Sequence, residues 1–260
     1  MRTVDLLRRD WDDRAQKNAL FYIEDSRHDW SADKFFQSGE NDYCTLVAPI
    51  LKQIGFDPAG KNMLELGCGA GRMSRSFATR FKTVVAVDIS SEMLKRGQQL
   101  IPDAPNIVWQ QGNGFDFANV PNESTDLVFS YLVLQHLPTE QLVSKYVSEI
   151  VRVLRTGGVF LLQFNSLTTP TMNLRGRVAW AVVNTFWSLG FVRLSRRMAG
   201  GFGFDPLTAG RSWRGAPLAP GEMRAFVHNA GGIVLETRGD GTSATWCYGT
   251  KIAPVHSISS

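Results

Sequence analysis

The sequence predicts an α/β fold: a doubly wound sheet of seven strands, mostly parallel with an antiparallel last strand, and helices on both faces. Two observations predict it. Between Asn62 and Asn165 short apolar runs alternate with helical patterns. Strands that are apolar along their length are buried on both faces, as in a parallel sheet, and right-handed crossovers leave few topologies. The second observation is the tail from Ile233 to Ile252, which reads as two strands around "GDGT" and so adds an antiparallel hairpin.

Taken in order, the first 60 residues hold a polar helix (about Val4 to Lys17), an aromatic-rich stretch, "NALFYIEDSRHDWSADKFFQSGE", and a helix from about Asp42 to Ile54. "NMLELG" is the first strand, stopped by glycine. "GRMSRSFATRF" has helical spacing through Met73, Phe77 and Phe81. "TVVAVDIS" is β-branched and reads as the second strand. "SSEMLKRGQQL" opens on serine with Glu92 soon after, a helix start. "NIVWQQGN" and "TDLVFSYLVL" are the third and fourth strands. "TEQLVSKYVSEIVRVLR" sets Leu142, Tyr146, Ile150 and Leu154 four apart on one helical face. "TGGVFLLQFN" is the fifth strand, and "PGEMRAFVHNAGG" is a helix closed by glycines. The expected organisation is one domain: a helical lid over residues 1–60, a core over 61–165, an insertion over 166–219, and the last helix and hairpin over 220–253.

With 260 residues, 43% of them hydrophobic and 20% charged, the chain can bury a sizeable core. The net charge of +4 is too mild to name a partner. Cys44, Cys68 and Cys247 form neither a disulfide framework nor a zinc spacing. A charged N-terminus and the absence of a membrane-length apolar run make a cytoplasmic location the expectation.

"LELGCGAGRMS" carries the chemistry. Gly67, Gly69 and Gly71 alternate where the first strand ends and a helix begins. Glycine lets backbone approach a ligand closely, and the helix start offers free N–H groups. A dinucleotide loop wants G-x-G-x-x-G, and Arg72 stands at the third position. Asp88 ends the second strand 21 residues beyond Gly67, where a carboxylate can accept from both ribose hydroxyls. The pair fits an NAD-type ligand or any other adenosine ligand.

"MLELGCGAGR", "VVAVDISSEMLKRG", "QQGNGFDF", "TDLVFSYLVLQHLP" and "EIVRVLRTGGVFLLQF", in this order and spacing, resemble the class I S-adenosylmethionine-dependent methyltransferases that act on small molecules, in the type 11-like subgroup. The resemblance covers about residues 60–165 and implies a Rossmann-like fold with S-adenosyl-L-methionine as cofactor and S-adenosyl-L-homocysteine as product. It places Glu65, Gly67, Cys68 and Gly69 at the methionine and ribose end, and Asp88 on the ribose hydroxyls. Ile89 and Met93 fall near the adenine, with Gly112, Asn113 and Gly114 beside it. Ser130 and Tyr131 face the sulfonium and its methyl. A cofactor without a pyrophosphate does not need the third glycine.

The sulfonium methyl is already activated, so transfer is an in-line displacement that asks mainly for alignment and exclusion of water. A base is needed only where the acceptor must lose a proton. His136 is the best-placed candidate and Tyr131 the second; His28, His228 and His256 have weaker cases. No carboxylates collect after the fourth strand, so no metal is expected.

The insertion holds seven arginines against the single acid Asp205, an excess larger than the net charge of the whole chain. Its apolar "RVAWAVVNTFWSLGFVRL" reads as a lid over an apolar pocket, as a dimer contact, or as a segment lying on a membrane surface with a lipid-like acceptor. Trp213 and Arg214 lie where an acceptor could be met, and Trp246 reads as core. The arginines are interleaved with apolar residues, which argues against nucleic acid. The function expected is methyl transfer to a small organic acceptor by a monomer or homodimer. A nicotinamide-dependent oxidoreductase and a non-catalytic S-adenosylmethionine-binding protein are the alternatives.

Overall fold

The computed structural model describes residues 3–24, 29–167, 173–208 and 210–253. His28 and His256 lie outside these residues. The strands are β1 (Asn62–Leu66), β2 (Thr83–Asp88), β3 (Ile107–Gln111), β4 (Thr125–Ser130), β5 (Leu154–Phe164), β6 (Gly232–Arg238) and β7 (Thr245–Lys251). They form one sheet in the order β3-β2-β1-β4-β5-β7-β6. The first five are parallel, and β7 runs antiparallel between β5 and β6. The strand order reverses at β1, which has β2 on one side and β4 on the other, so their carboxyl ends open the crevice where such sheets hold ligands.

Alternation along the strands divides the core. Met63, Val84, Leu127, Phe129 and Leu161 face the helices α2 (Ala32–Asp42) and α3 (Ala48–Gln53), which are joined by a π-helical turn, Tyr43–Val47. Leu64, Leu66, Val128, Phe160 and Leu162 face α6 (Glu140–Val153) and α9 (Pro220–Asn229). Helices α4 (Ser74–Ala78) and α5 (Ser91–Leu100) complete the crossovers around β2. Ser90 caps α5 by accepting from the Met93 N–H.

Several expected boundaries shift. The first helical element, α1, spans Thr3–Ile23, and the helix expected over about Val4 to Lys17 is its first segment. It kinks at Asn18, where the backbone leaves helical geometry and the side-chain oxygen accepts from Phe21 N at 3.2 Å, restarting the helix. The helix expected from Asp42 begins ten residues earlier, at Ala32, where Ser31 caps it. The helix expected over residues 71–81 shortens to α4, although Met73, Phe77 and Phe81 are buried. The fourth strand stops at Ser130, because Leu132 takes a left-handed φ of 58°. His136 therefore sits on a short 3₁₀ turn, Leu134–His136. Helix α6 buries Val143, Tyr146, Val147 and Ile150, while Leu154 opens β5.

The insertion folds into a hairpin of α7 (Leu174–Ser188) and α8 (Val192–Gly201), followed by an irregular return to α9. Its inner face is tied to α1 by buried polar groups. Asp10 accepts from Trp187 Nε1 (2.6 Å), Ser212 Oγ (2.5 Å) and Arg196 (2.8 Å). Arg14, fully buried, donates to Leu207 O and to the backbone and hydroxyl of Ser212. Its guanidinium lies over Trp11 and Trp213. Burial lowers Arg14 to about 10, with Asp10 acting against that fall.

Candidate active site

A cavity of about 330 Å³ opens at the carboxyl ends of β1, β2 and β4, within the usual size of ligand pockets. Its floor is the loop after β1. Gly67, Gly69 and Gly71 all adopt positive φ (75°, 54° and 81°). A Cβ on Gly67 would strike Val133, and one on Gly69 would strike Ile23. The sequence uses glycine here because both backbone conformation and space exclude a side chain. The amides of Gly67 and Cys68 donate to Val87 O, fixing the loop against β2.

Asp88 is held by the chain it serves. One oxygen accepts from Gly69 N and the other from Ser90 N, both at 2.8 Å. Each oxygen keeps a further lone pair. Burial raises the carboxyl to about 6, while those two amides pull it down. Glu65 accepts from Ser74 Oγ at 2.5 Å. Burial pushes it up to about 8, against the Ser74 hydroxyl and the charge of Arg72. Arg72 itself pairs with Asp42 at 2.6 Å. Glu65, buried with Arg72 as its neighbouring cation, is thus held largely protonated at neutral pH, while the half-buried Asp88 is mostly ionised there. A positively charged ligand would supply the missing charge. Burial also raises the Cys68 thiol well above its usual range, so that residue contributes backbone and bulk rather than a thiolate.

The opposite wall holds the candidate proton acceptors. His136 Nδ1 donates to Trp213 O at 2.5 Å, which assigns the proton to Nδ1. Nε2 is then an acceptor, 3.3 Å from the Gln135 amide nitrogen. Burial, with the nearby charge of Arg14, lowers His136 to about 4 despite the Trp213 carbonyl, so the ring is neutral across the physiological range. Trp11 and Trp213 pack on it and on each other, with ring centroids 5.2 and 5.3 Å from His136 and 6.2 Å apart. Tyr131 packs on Trp246 at 5.1 Å and lies near Arg72. Burial raises its hydroxyl above the ordinary tyrosine value.

Of the residues singled out in the sequence, Glu65, Gly67, Cys68, Gly69, Asp88, Ile89, Met93, Gly112, Tyr131 and His136 line this cavity. Three do not. Asn113 turns its side-chain oxygen to the amides of Phe115 and Asp116 and its nitrogen to Asp116, capping its own loop. Gly114 packs under α1, where a Cβ would meet Val4. Ser130 is wholly buried, and its hydroxyl has no hydrogen-bond partner among the described residues. Trp213 reaches the cavity; Trp246 packs behind it on Phe129 and Tyr131.

Sequence reasoning missed the roof and one internal support. Leu7, Trp11, Tyr22 and Ile23 of α1 close the cavity from above. Gln163, fully buried at the end of β5, accepts from Leu132 N at 2.9 Å and donates to Gln135 Oε1 at 3.0 Å. It holds both the left-handed turn and the amide that addresses His136. A glutamine within the apolar run "FLLQF" was the available signal. Among the described residues, no group of three or more His, Cys, Asp or Glu is placed to hold a metal ion. No described helix is long and apolar enough to cross a membrane.

Residues 64–162 match the family model described as a methyltransferase domain. An uncharacterised methyltransferase of Schizosaccharomyces pombe is 31% identical over 138 residues, 52% of this chain and 50% of its own. A trans-aconitate 2-methyltransferase of Azoarcus is 29% identical, covering 74% of this chain and 72% of its own. A malonyl-[acyl-carrier protein] O-methyltransferase of Yersinia pestis is 31% identical over 52% of this chain and 46% of its own. The chain thus spans about half the length of two of these three curated relatives. Magnesium protoporphyrin IX methyltransferase from Synechocystis, solved with bound S-adenosylhomocysteine, superposes with a TM-score of 0.60 at 16% identity, over 95% of this chain and 99% of that one. That likeness is one of fold.

Proposed function

We propose that this chain, whose residues 64–162 match a methyltransferase-domain model, transfers a methyl group from S-adenosyl-L-methionine to a small organic acceptor by in-line displacement. The observation that carries the reading is the convergence of Glu65, the Gly67–Gly69 backbone and Asp88 in one cavity with Tyr131 and His136. Asp88, with its spare lone pairs, takes the ribose hydroxyls. Glu65 faces the cationic methionine end, where a positive charge restores the ionised carboxylate. Ile89 and Met93 pack on the adenine, and Gly112 leaves room for it beside Val87. Asn113, occupied with its own loop, supports this subsite through backbone placement.

Bound there, the cofactor supplies an activated methyl. The chain's own part is to align the acceptor, exclude water and receive a proton if one leaves. We assign the acceptor to the space between Tyr131, His136, Trp11 and Trp213. The aromatic walls favour an apolar or planar molecule. His136 Nε2 is the lone pair available to an acceptor O–H or N–H. The N-terminal helices and the insertion form the lid of this single domain. The related enzymes act on acceptors as different as trans-aconitate and malonyl-[acyl-carrier protein], so the acceptor is to be found by screening.

Thermal shift with S-adenosylhomocysteine, S-adenosylmethionine and NAD tests the cofactor. The first two should stabilise the protein by mass action and NAD should not. Stabilisation by NAD alone would favour the oxidoreductase reading.

A further inference from the structure

The outer face of the insertion is apolar where it should be polar. On α7 the inner residues Ala179, Val183 and Trp187 are buried. A second apolar stripe runs along the opposite side. Leu174, Val178, Ala181 and Leu189, with Thr185 among them bonding its hydroxyl back to Ala181 O, recur at spacings of four and three and are all exposed. Leu174 is 74% exposed and Leu189 64%. On α8 and its flanks, Phe191, Leu194 and Phe202 are also exposed. A helix clothed in apolar residues on both sides, with only one side packed, has an unfilled contact.

Charge says what fills it. Arg175 and Arg177 flank the α7 stripe, one on each side, and Arg193 and Arg197 sit beside the α8 stripe. All four are exposed, and none makes an ion pair among the described residues. The only acid of the insertion, Asp205, is engaged by Tyr22 and Lys17. A second copy of this face would therefore set arginines against arginines with no acid between them.

We propose that the α7–α8 hairpin docks on an anionic lipid surface, its leucines and phenylalanines entering the headgroup boundary and its arginines meeting lipid phosphates. This goes beyond methyl transfer and stands on the hairpin alone. The inner side of the hairpin, fixed to Asp10 and Asp13 through Trp187 and Arg196, holds that face rigidly on the helix that roofs the cavity.

Flotation with vesicles tests it, using phosphatidylcholine alone and an equal mixture of phosphatidylcholine and phosphatidylglycerol. The full chain should float with the mixed vesicles, stay behind with phosphatidylcholine alone, and be released as salt is raised. The double variant L189E/F191E should lose at least about tenfold in vesicle affinity. R175Q/R177Q/R193Q/R197Q should lose about fivefold per arginine. Either variant suffices, and a melting temperature equal to wild type shows it folded. Failure of the wild type to float with anionic vesicles overturns the proposal, as does undiminished binding by a folded variant. A concentration-dependent dimer that L189E/F191E dissolves, without vesicle binding, would make the face a contact between copies.

Discussion

The floor and the roof of the cavity are built by opposite means. The floor comes from residues close in sequence, Glu65 to Asp88, and leaves the buried Glu65 short of positive charge. The roof joins residues nearly 200 positions apart, and its buried Asp10 is fully answered by Trp187, Ser212 and Arg196. Buried charge that the fold itself answers is structural. Buried charge it leaves unanswered is kept for a ligand. Substitutions in the two regions should therefore fail differently.

The largest expected effect is in the roof. Asp10→Ala removes three hydrogen bonds, takes the buried negative charge from beside Arg14 and leaves Arg196 with Asp13 alone. Breaking one partner of such a network costs about 3–5 kcal/mol. Urea unfolding should show that loss, and a cost below about 1 kcal/mol would mean that α1 and the insertion are joined by apolar packing instead. The floor should behave in the reverse way. Asp88→Ala should cost less in unfolding, since Asp88 is half-buried at the cavity wall and gives up two backbone hydrogen bonds rather than a buried ion network. Yet it should weaken S-adenosylmethionine binding by about 10²-fold, the worth of two hydrogen bonds to a charged group. Calorimetric titration reads it, and an unchanged affinity would remove Asp88 from the ribose. A smaller effect is expected at Gln163. Gln163→Leu should disturb the turn at Leu132 and the orientation of Gln135, lowering turnover more than cofactor affinity once an acceptor is found. Equal losses in both would place its role in general stability.

The same contrast governs what the sequence discloses. The floor is legible because each of its rules is local. A strand ends in glycine, glycine permits the loop, and an acid closes the next strand. The roof obeys no local rule. Nothing in "DLLRRDWDDRA" says that Asp10 and Arg14 are buried, because their partners Trp187 and Ser212 lie beyond the five parallel strands, 177 or more positions from Asp10. A polar helix is ordinarily a solvated one, so the composition of this helix hides its function. Strand four was overrun for a related reason. "SYLVL" is apolar enough to continue a strand, and only Gln163, from the neighbouring strand, fixes the left-handed Leu132. Asn113 was placed by resemblance alone, and the local hydrogen bonds of its own loop claim its side chain.

The finest test of the floor is the pH dependence of Glu65. Its carboxyl sits at about 8 in the folded chain, against a reference near 4.5. Below about pH 4.5 both folded and unfolded chains carry the proton and stability is unaffected. As pH rises to about 8, the unfolded chain gives up the proton while the folded chain keeps it, so stability falls through that window. Asp88 acts in the same sense, but only from 3.8 to about 6. His136, lowered from 6.5 to about 4, acts in the opposite sense between those values. From about pH 6.5 to 8 the slope therefore belongs to Glu65 among these three groups. In that window the ligand-free wild type should lose a few degrees of melting temperature, each kcal/mol being worth roughly 2–4 °C for a chain of this size. Glu65→Gln should melt higher than wild type at pH 8 and show a flatter slope. It should also bind S-adenosylmethionine more weakly at pH 8 than at pH 6.5 relative to wild type, because only the wild type gains a carboxylate for the cation. The ligand's own titration is common to both proteins and cancels. A Glu65→Gln protein that keeps the wild-type slope in stability and in affinity would mean that Glu65 serves the loop through Ser74 and not the cofactor.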